Sequence, residues 1–333
     1  MIWEGTAALA GEASGAPTVD PKVDRPAAHW FAADPAFVPL AATLPSRKLP
    51  STNYKLQIAF VCISFSVPDL SELSGRTLVV VAHPDDEAVA CGSMLQRMRN
   101  PVVVICTDGA PRDDYFWRSY GSRAAYASFR KKEAERALGA VGVRNLEFLA
   151  DHEPETFIDQ ELFRRIPQAM QHLRRLSERK RPTAVLTLAY EGGHPDHDAC
   201  NFLGRQLADE LNVPAWEAPL YHRLPASRTA VQQFLESTRD TVRVEITRAE
   251  LHRKRTMFAA YISQADVLET FDPAVEVLRP MANYDYSRPP HQGTLNYEAW
   301  GWPIRGWELC DQFTQYLNGE QEVVPGTTYK RTA

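Results

Sequence analysis

Two short stretches of this chain concentrate groups able to bind a cation and move protons: Ala82-His83-Pro84-Asp85-Asp86-Glu87 and Gly193-His194-Pro195-Asp196-His197-Asp198. Each is a His-Pro-Asp preceded by an apolar run. His83, Asp86, His194 and His197 together offer enough nitrogen and oxygen ligands for one divalent ion of the zinc type, with other groups to spare for acid–base work. The spacing differs from a helical His-Glu-x-x-His arrangement, so the ligands are expected to come from two loops at one edge of a sheet. The chemistry implied is acid–base work beside a bound cation.

The elements that must carry these loops can be read from the flanking residues. Leu78 to Val81 is a run of strand-type residues with no alternation, the pattern of a strand buried on both faces in a parallel sheet. Pro84 forbids further ladder pairing and biases His83 towards an extended conformation at the strand tip. Further strands are expected at 101–107, 145–150 and 183–188, with helices over 87–99, 124–141, 160–180 and 198–211. Strand and helix alternating at this spacing predict a Rossmann-like three-layer α/β sandwich with a mostly parallel central sheet. A late strand over 241–246 would turn Val242, Val244 and Ile246 inward, and a helix over 248–262 follows. Residues 1–75 read as an irregular N-terminal extension, 76–265 as the catalytic α/β domain, and 266–333 as a C-terminal extension packed on it. That last stretch holds Trp300, Trp302, Trp307, Tyr284, Tyr286 and Tyr297, aromatic side chains able to stack on a sugar face or to bury a flap.

In content, order and separation the two motifs resemble the PIG-L/LmbE-like family of zinc-dependent N-deacetylases, which remove acetyl groups from N-acetylglucosamine units. Thr107-Asp108-Gly109, Arg130-Lys131-Lys132-Glu133, Ala137-Leu138-Gly139 and Tyr261-Ile262-Ser263-Gln264 are similar to the family as well. The resemblance implies His83, Asp86 and His197 as zinc ligands, with Fe2+ or another divalent ion as alternatives, and a water attacking the amide from the metal. Asp85 diverges from Asp86 in the tight turn and is expected to be the general base. His194, as an imidazolium, would stabilise the oxyanion or protonate the leaving amine. Either Asp196 or Asp198 would orient a ligand imidazole. Arg130 and Asp108 are implied to contact substrate, a small-molecule or glycoconjugate N-acetyl amino sugar. Two alternatives stay open: an amidase acting on a larger amide of a sugar-thiol or antibiotic conjugate, and a non-catalytic carbohydrate-binding module.

Composition narrows the partners. The 333 residues carry a net charge of -5, which argues against nucleic acid or an anionic membrane. Residues 56–67 form an apolar run too short for a transmembrane span. The five cysteines, Cys62, Cys91, Cys106, Cys200 and Cys310, include no C-x-x-C pair and read as reduced thiols, in keeping with a cytoplasmic protein. Cys200 stands three residues after His197, but the nitrogen and oxygen donors around it already complete a set.

Overall fold

The structure, a computed structural model, describes residues 68–224 and 228–320. Residues 1–67, including the apolar run at 56–67 and Cys62, lie outside them.

Seven strands form one sheet: β1 (Thr77–Val81), β2 (Val102–Ile105), β3 (Asn145–Phe148), β4 (Ala184–Leu188), β5 (Ala215–Ala218), β8 (Val242–Arg243) and β9 (Val277–Pro280), in the order β3-β2-β1-β4-β5-β9-β8. The first five are parallel; β9 joins β5, and β8 joins β9, antiparallel. A separate hairpin pairs β6 (Tyr221–Leu224) with β7 (Arg228–Val231). The major helices are α1 (Asp86–Cys91), α2 (Arg123–Ala140), α3 (Ile166–Lys180), α4 (Pro195–Leu211), α5 (Arg248–Ala260) and α6 (Gly306–Asn318). Helices α1, α2 and α5 pack on one face, and α3, α4 and α6 on the other. Every residue of β1, β2 and β4 is buried, so the unbroken apolar runs are strands covered by helices on both sides.

The order matters for function. From β1 the chain winds outward through β2 to β3, then returns to the other side of β1 as β4. The neighbours β1 and β4, with Thr77 opposite Ala184, therefore lie at the point where strand order reverses, and the loops leaving their carboxyl ends diverge to open a crevice. Residues 83–87 and 189–198 leave from those two ends.

Local departures from the sequence expectation have tertiary causes. A helix expected over 87–99 stops at Cys91 and resumes as a 3-10 turn at Met94–Gln96. The amides of Ser93 and Met94 donate instead to the Glu276 carboxylate, which pairs with Lys254 at 2.8 Å; both side chains are fully buried. Lys254 Nζ also donates to the carbonyl of Val89, so this pair ends the helix. The expected helix from 160 begins at Ile166, because the amides of Gln160 and Leu162 are claimed by Asp196. The late strand shrinks to Val242–Arg243: Val244 is buried, while Val242 and Ile246 are only partly so.

Removing one member of a fully buried ion pair leaves the other charge uncompensated, at a cost of about 3–5 kcal/mol. Glu276→Ala is expected to lose that much in urea unfolding, while Lys254→Met with Glu276→Leu loses less than the single change. Equal losses would show that the pair carries no such coupling.

Candidate active site

The β1 tip is built around Asp86. Its Oδ2 accepts from the amides of Ala82 (3.1 Å) and His83 (2.8 Å), which fixes the carboxylate under the strand end. His83 Nδ1 lies 3.4 Å from Asp86 Oδ2, His197 Nε2 lies 3.3 Å from Asp86 Oδ1, and the two imidazole nitrogens are 3.3 Å apart. On its other side, His83 Nε2 faces Asp196 Oδ2 at 3.3 Å and Asp159 Oδ1 at 3.2 Å. Asp196 is itself anchored by the amides of Gln160 and Leu162, so the ring is held by a fixed carboxylate. His194 completes the cluster, its Nε2 3.5 Å from Asp159 Oδ1. His83, His194 and His197 form one group able to hold a metal ion, and His83, Asp159, His194 and Asp196 an overlapping one.

All of these groups are at most 8 % exposed, so their charges depend on one another. Burial by itself would lower the His83 pKa, but the carboxylates of Asp159 and Asp86 outweigh it and hold the imidazole well above its usual value. For Asp86 burial opposes ionisation, yet His197 and His83 win and hold it well below the ordinary carboxylate range. Asp85 has weaker support: burial pushes it up to about 8, with the Arg130 guanidinium pulling the other way and Asp86 reinforcing the rise. Its backbone has φ 131, a region that non-glycine residues seldom adopt, and such strain persists only where the surroundings impose it.

His194, expected to act as an imidazolium, stands at the start of α4. It caps α4, accepting at Nδ1 from the amide of Asp196 (3.1 Å), which requires a lone pair there and leaves Nε2 as the protonated nitrogen. Burial, followed by the nearby His83, lowers its pKa to about 4.

The structure separates the two carboxylates left open by the sequence. Asp196 lies against His83, whereas Asp198 turns away and accepts at Oδ1 from the amides of Glu191 and Gly192, holding the second loop. Burial raises the Asp198 carboxyl to about 8, against the pull of those amides. Arg130 is tied to Pro84 O (2.7 Å), Gly109 O (2.6 Å) and Asp85 Oδ2 (3.0 Å). Asp108 does not enter the histidine cluster. It binds Arg123 and the Ala110 amide, and lines a neighbouring cavity of about 210 Å³ with Pro84, Lys131, Phe148 and Glu155. Cys200 is fully buried beside Cys106, among the hydrophobic core side chains.

One contributor escaped the sequence reading. Asp159 follows the buried pair Phe157-Ile158, and the carbonyl of Phe157 accepts the Asp108 amide, which ties this segment to the β2 tip. An acid directly after two apolar residues was the available signal. The C-terminal aromatic segment, read from the sequence as a sugar-stacking surface or a buried flap, reaches the cluster: Trp302 meets His194 edge-on at 5.1 Å, Trp300 lies 5.2 Å from Trp302 and 6.0 Å from Tyr221, and Tyr221 lies 5.3 Å from His197. These half-buried indoles stand beside the cluster, while Trp307 is exposed.

The second loop also needs close backbone approach. A Cβ on Gly193 would sit 1.9 Å from the Tyr221 carbonyl oxygen, so only glycine lets the loop pass β6. Gly193→Ala is expected to cost about 1–3 kcal/mol as an overpacked site, read as a lower melting temperature; an unchanged melt would mean that the loop has room.

Residues 78–208 match the family model described as PIG-L, GlcNAc-PI de-N-acetylase. The chain is 28% identical over 160 residues to the probable N-acetyl-alpha-D-glucosaminyl L-malate deacetylase 2 of Bacillus cereus, covering 46% of this chain and 69% of that protein. It is 27% identical over 164 residues to the 1D-myo-inositol 2-acetamido-2-deoxy-alpha-D-glucopyranoside deacetylase of Corynebacterium diphtheriae, covering 42% of this chain and 54% of the relative. Among solved structures, a triple-mutant deacetylase of the teicoplanin biosynthetic pathway superposes with a TM-score of 0.49 at 21% identity, over 63% of this chain and 99% of that one.

Proposed function

We propose, from the premise that residues 78–208 form a PIG-L domain, that this chain is a metal-dependent hydrolase that removes an N-acetyl group from a glucosamine-type sugar or conjugate. One observation carries the reading. The nitrogens of His83 and His197 stand 3.3 Å apart, and each faces its own oxygen of the Asp86 carboxylate, Oδ2 at 3.4 Å from His83 and Oδ1 at 3.3 Å from His197. Zinc bonds of about 2.0–2.1 Å at tetrahedral angles separate neighbouring donors by about 3.3 Å. His83 can face an ion with Nδ1 because its Nε2–H has Asp196 to donate to, the outer partner that a ligating imidazole usually needs. The donor set, two imidazoles and one carboxylate, suits Zn2+ in a three-ligand site, and the two relatives named above are deacetylases.

A cation held there would supply Lewis acidity and lower the pKa of water towards about 7. The protein's own groups do the rest. Asp85, aimed by Arg130 and by its constrained backbone, takes the proton of the attacking water at its carboxylate. His194, fixed by its cap bond and carrying the proton at Nε2, donates to the carbonyl oxygen as negative charge develops. Asp159, whose Oδ1 lies 3.2 Å from His83 Nε2 and 3.5 Å from His194 Nε2, offers a carboxylate for a sugar hydroxyl. Trp302, Trp300 and Tyr221 form the opposite, apolar wall for a pyranose ring. Four buried free thiols among the described residues support a reducing compartment such as the cytoplasm.

Acetate release from a panel of N-acetyl amino sugars tests the reading. Chelation is expected to abolish turnover and Zn2+ to restore it. In the same assay, Asp85→Asn is expected to lose about 10²–10⁴-fold in kcat as a missing general base while retaining one metal per chain. Failure of the metal-replete parent to release acetate from any simple or larger conjugate would overturn the proposal. For the aromatic wall, Trp302→Ala is expected to raise KM by about tenfold, in line with an aromatic contact of about 1 kcal/mol or more, with kcat changed less. An unchanged KM would remove Trp302 from the binding surface.

A further inference from the structure

We infer that the turn Tyr261–Gln264, between α5 and the short helix that follows it, is a positioning element that holds the general base and its guanidinium partner in register; the inference rests on Asp85 acting as that base. The turn lies outside residues 78–208 and makes three separate attachments. The buried Tyr261 hydroxyl donates to Glu87 Oε1, and the other oxygen of that carboxylate, Oε2, accepts from the amide of Asp85 at 3.2 Å. Ser263 donates to Glu133 through both its amide (2.8 Å) and its hydroxyl (2.5 Å), and Gln264 Nε2 donates to the Tyr126 hydroxyl at 2.7 Å. Tyr126 and Glu133 lie on α2, on either side of Arg130, whose guanidinium carbon stands 5.9 Å from the Tyr126 ring centre.

The contacts form a closed circuit. Arg130 binds Asp85 and the carbonyl of Pro84, Glu87 binds the Asp85 amide, and the turn binds both Glu87 and α2. Asp85 needs such a frame because φ 131 is unfavourable for an L-residue. A backbone amide held by Glu87 and a carboxylate held by Arg130 fix it at both ends. Without the Tyr261 hydroxyl, Glu87 loses its only side-chain donor among the contacts described, and the Asp85 amide loses a fixed acceptor. The attachments described run to Glu87 and to α2, so the effect falls on the base rather than on metal or sugar binding.

Hydrogen exchange on the full chain, metal-free, tests this apart from turnover. Tyr261→Phe keeps the ring and removes the donor. The amides of residues 85–87 are expected to exchange at least tenfold faster, while those of β2 hold the parent rate. With metal restored, kcat is expected to fall at least tenfold, with KM within twofold and one metal still bound. Ser263→Ala, a milder change should the first not fold, is expected to speed exchange over residues 126–134 and lower kcat without changing KM. Ile262→Ala, whose side chain is exposed, serves as a control with parent kinetics. Unchanged exchange at 85–87 in Tyr261→Phe would overturn the inference, as would a rise in KM at constant kcat. If the parent releases no acetate, the hydrolase reading fails, and exchange alone decides whether the turn holds the Asp85 loop.

Discussion

The arrangement depends on compensating buried negative charge. Asp85, Asp86, Asp159 and Asp196 crowd within one water-poor crevice, with Glu87 behind them. Against them stand one permanent cation, Arg130, and whatever charge the histidines take up. Isolated carboxylates do not survive such burial ionised unless paired or bound to a cation. The protein divides the problem. Asp86 and Asp159 are held ionised by the imidazoles, Asp196 is solvated by two backbone amides and His83, and Asp85 remains the least supported of the four. A divalent ion between His83, Asp86 and His197 would place two positive charges where the carboxylates need them and would release His83 from carrying a proton. The same imbalance that makes the pocket costly to fold makes it a good place for a Lewis acid.

Why the charges meet here and nowhere else follows from topology. β1 and β4 are adjacent only because the chain reverses its direction of winding between β3 and β4, and their carboxyl ends face the same way because the pairing is parallel. Strand reversal of this kind leaves a crevice that side chains from both loops can line. Helix α4 then begins at the second motif, and His194 serves at once as its N-cap and as a donor into the crevice. Capping sets the tautomer, so an element of secondary structure decides which nitrogen can donate.

Much of this was legible in the sequence because it is local. Apolar runs without alternation announced buried parallel strands, and each His-Pro-Asp marked the end of one. The types of the candidate ligands and the meeting of their two loops could be anticipated from two motifs of six residues each. What could not be read depends on contacts between distant segments. Helix α1 stops early because Glu276, some 180 residues on, takes its amides, and Asp159 enters the cluster only because its segment is tied to the β2 tip. The cap bond that fixes the His194 ring was unreadable for a similar reason, since it has no periodic signature. Asp196 and Asp198, two residues apart on the first turn of α4, project differently, and only coordinates separate the one that faces His83 from the one that faces the loop.

The matched stretch, 78–208, supplies every group proposed to touch the metal, yet it does not hold them alone. The first loop is pinned by Tyr261 through Glu87. The second loop is pinned by the C-terminal segment: the Asn296 amide donates to the carbonyl of Gly192, Leu295 would collide with any Cβ at Gly192, and the Trp302 ring rests on His194. Each loop thus has its own brace from beyond residues 78–208. A reaction centre needs its groups held to within about half an ångström, which loops seldom achieve unsupported. The braces and the aromatic wall come from the same C-terminal half, and Trp302 belongs to both. Differences in that half would therefore alter how firmly His194 is aimed, while leaving the candidate ligand set of His83, Asp86 and His197 untouched.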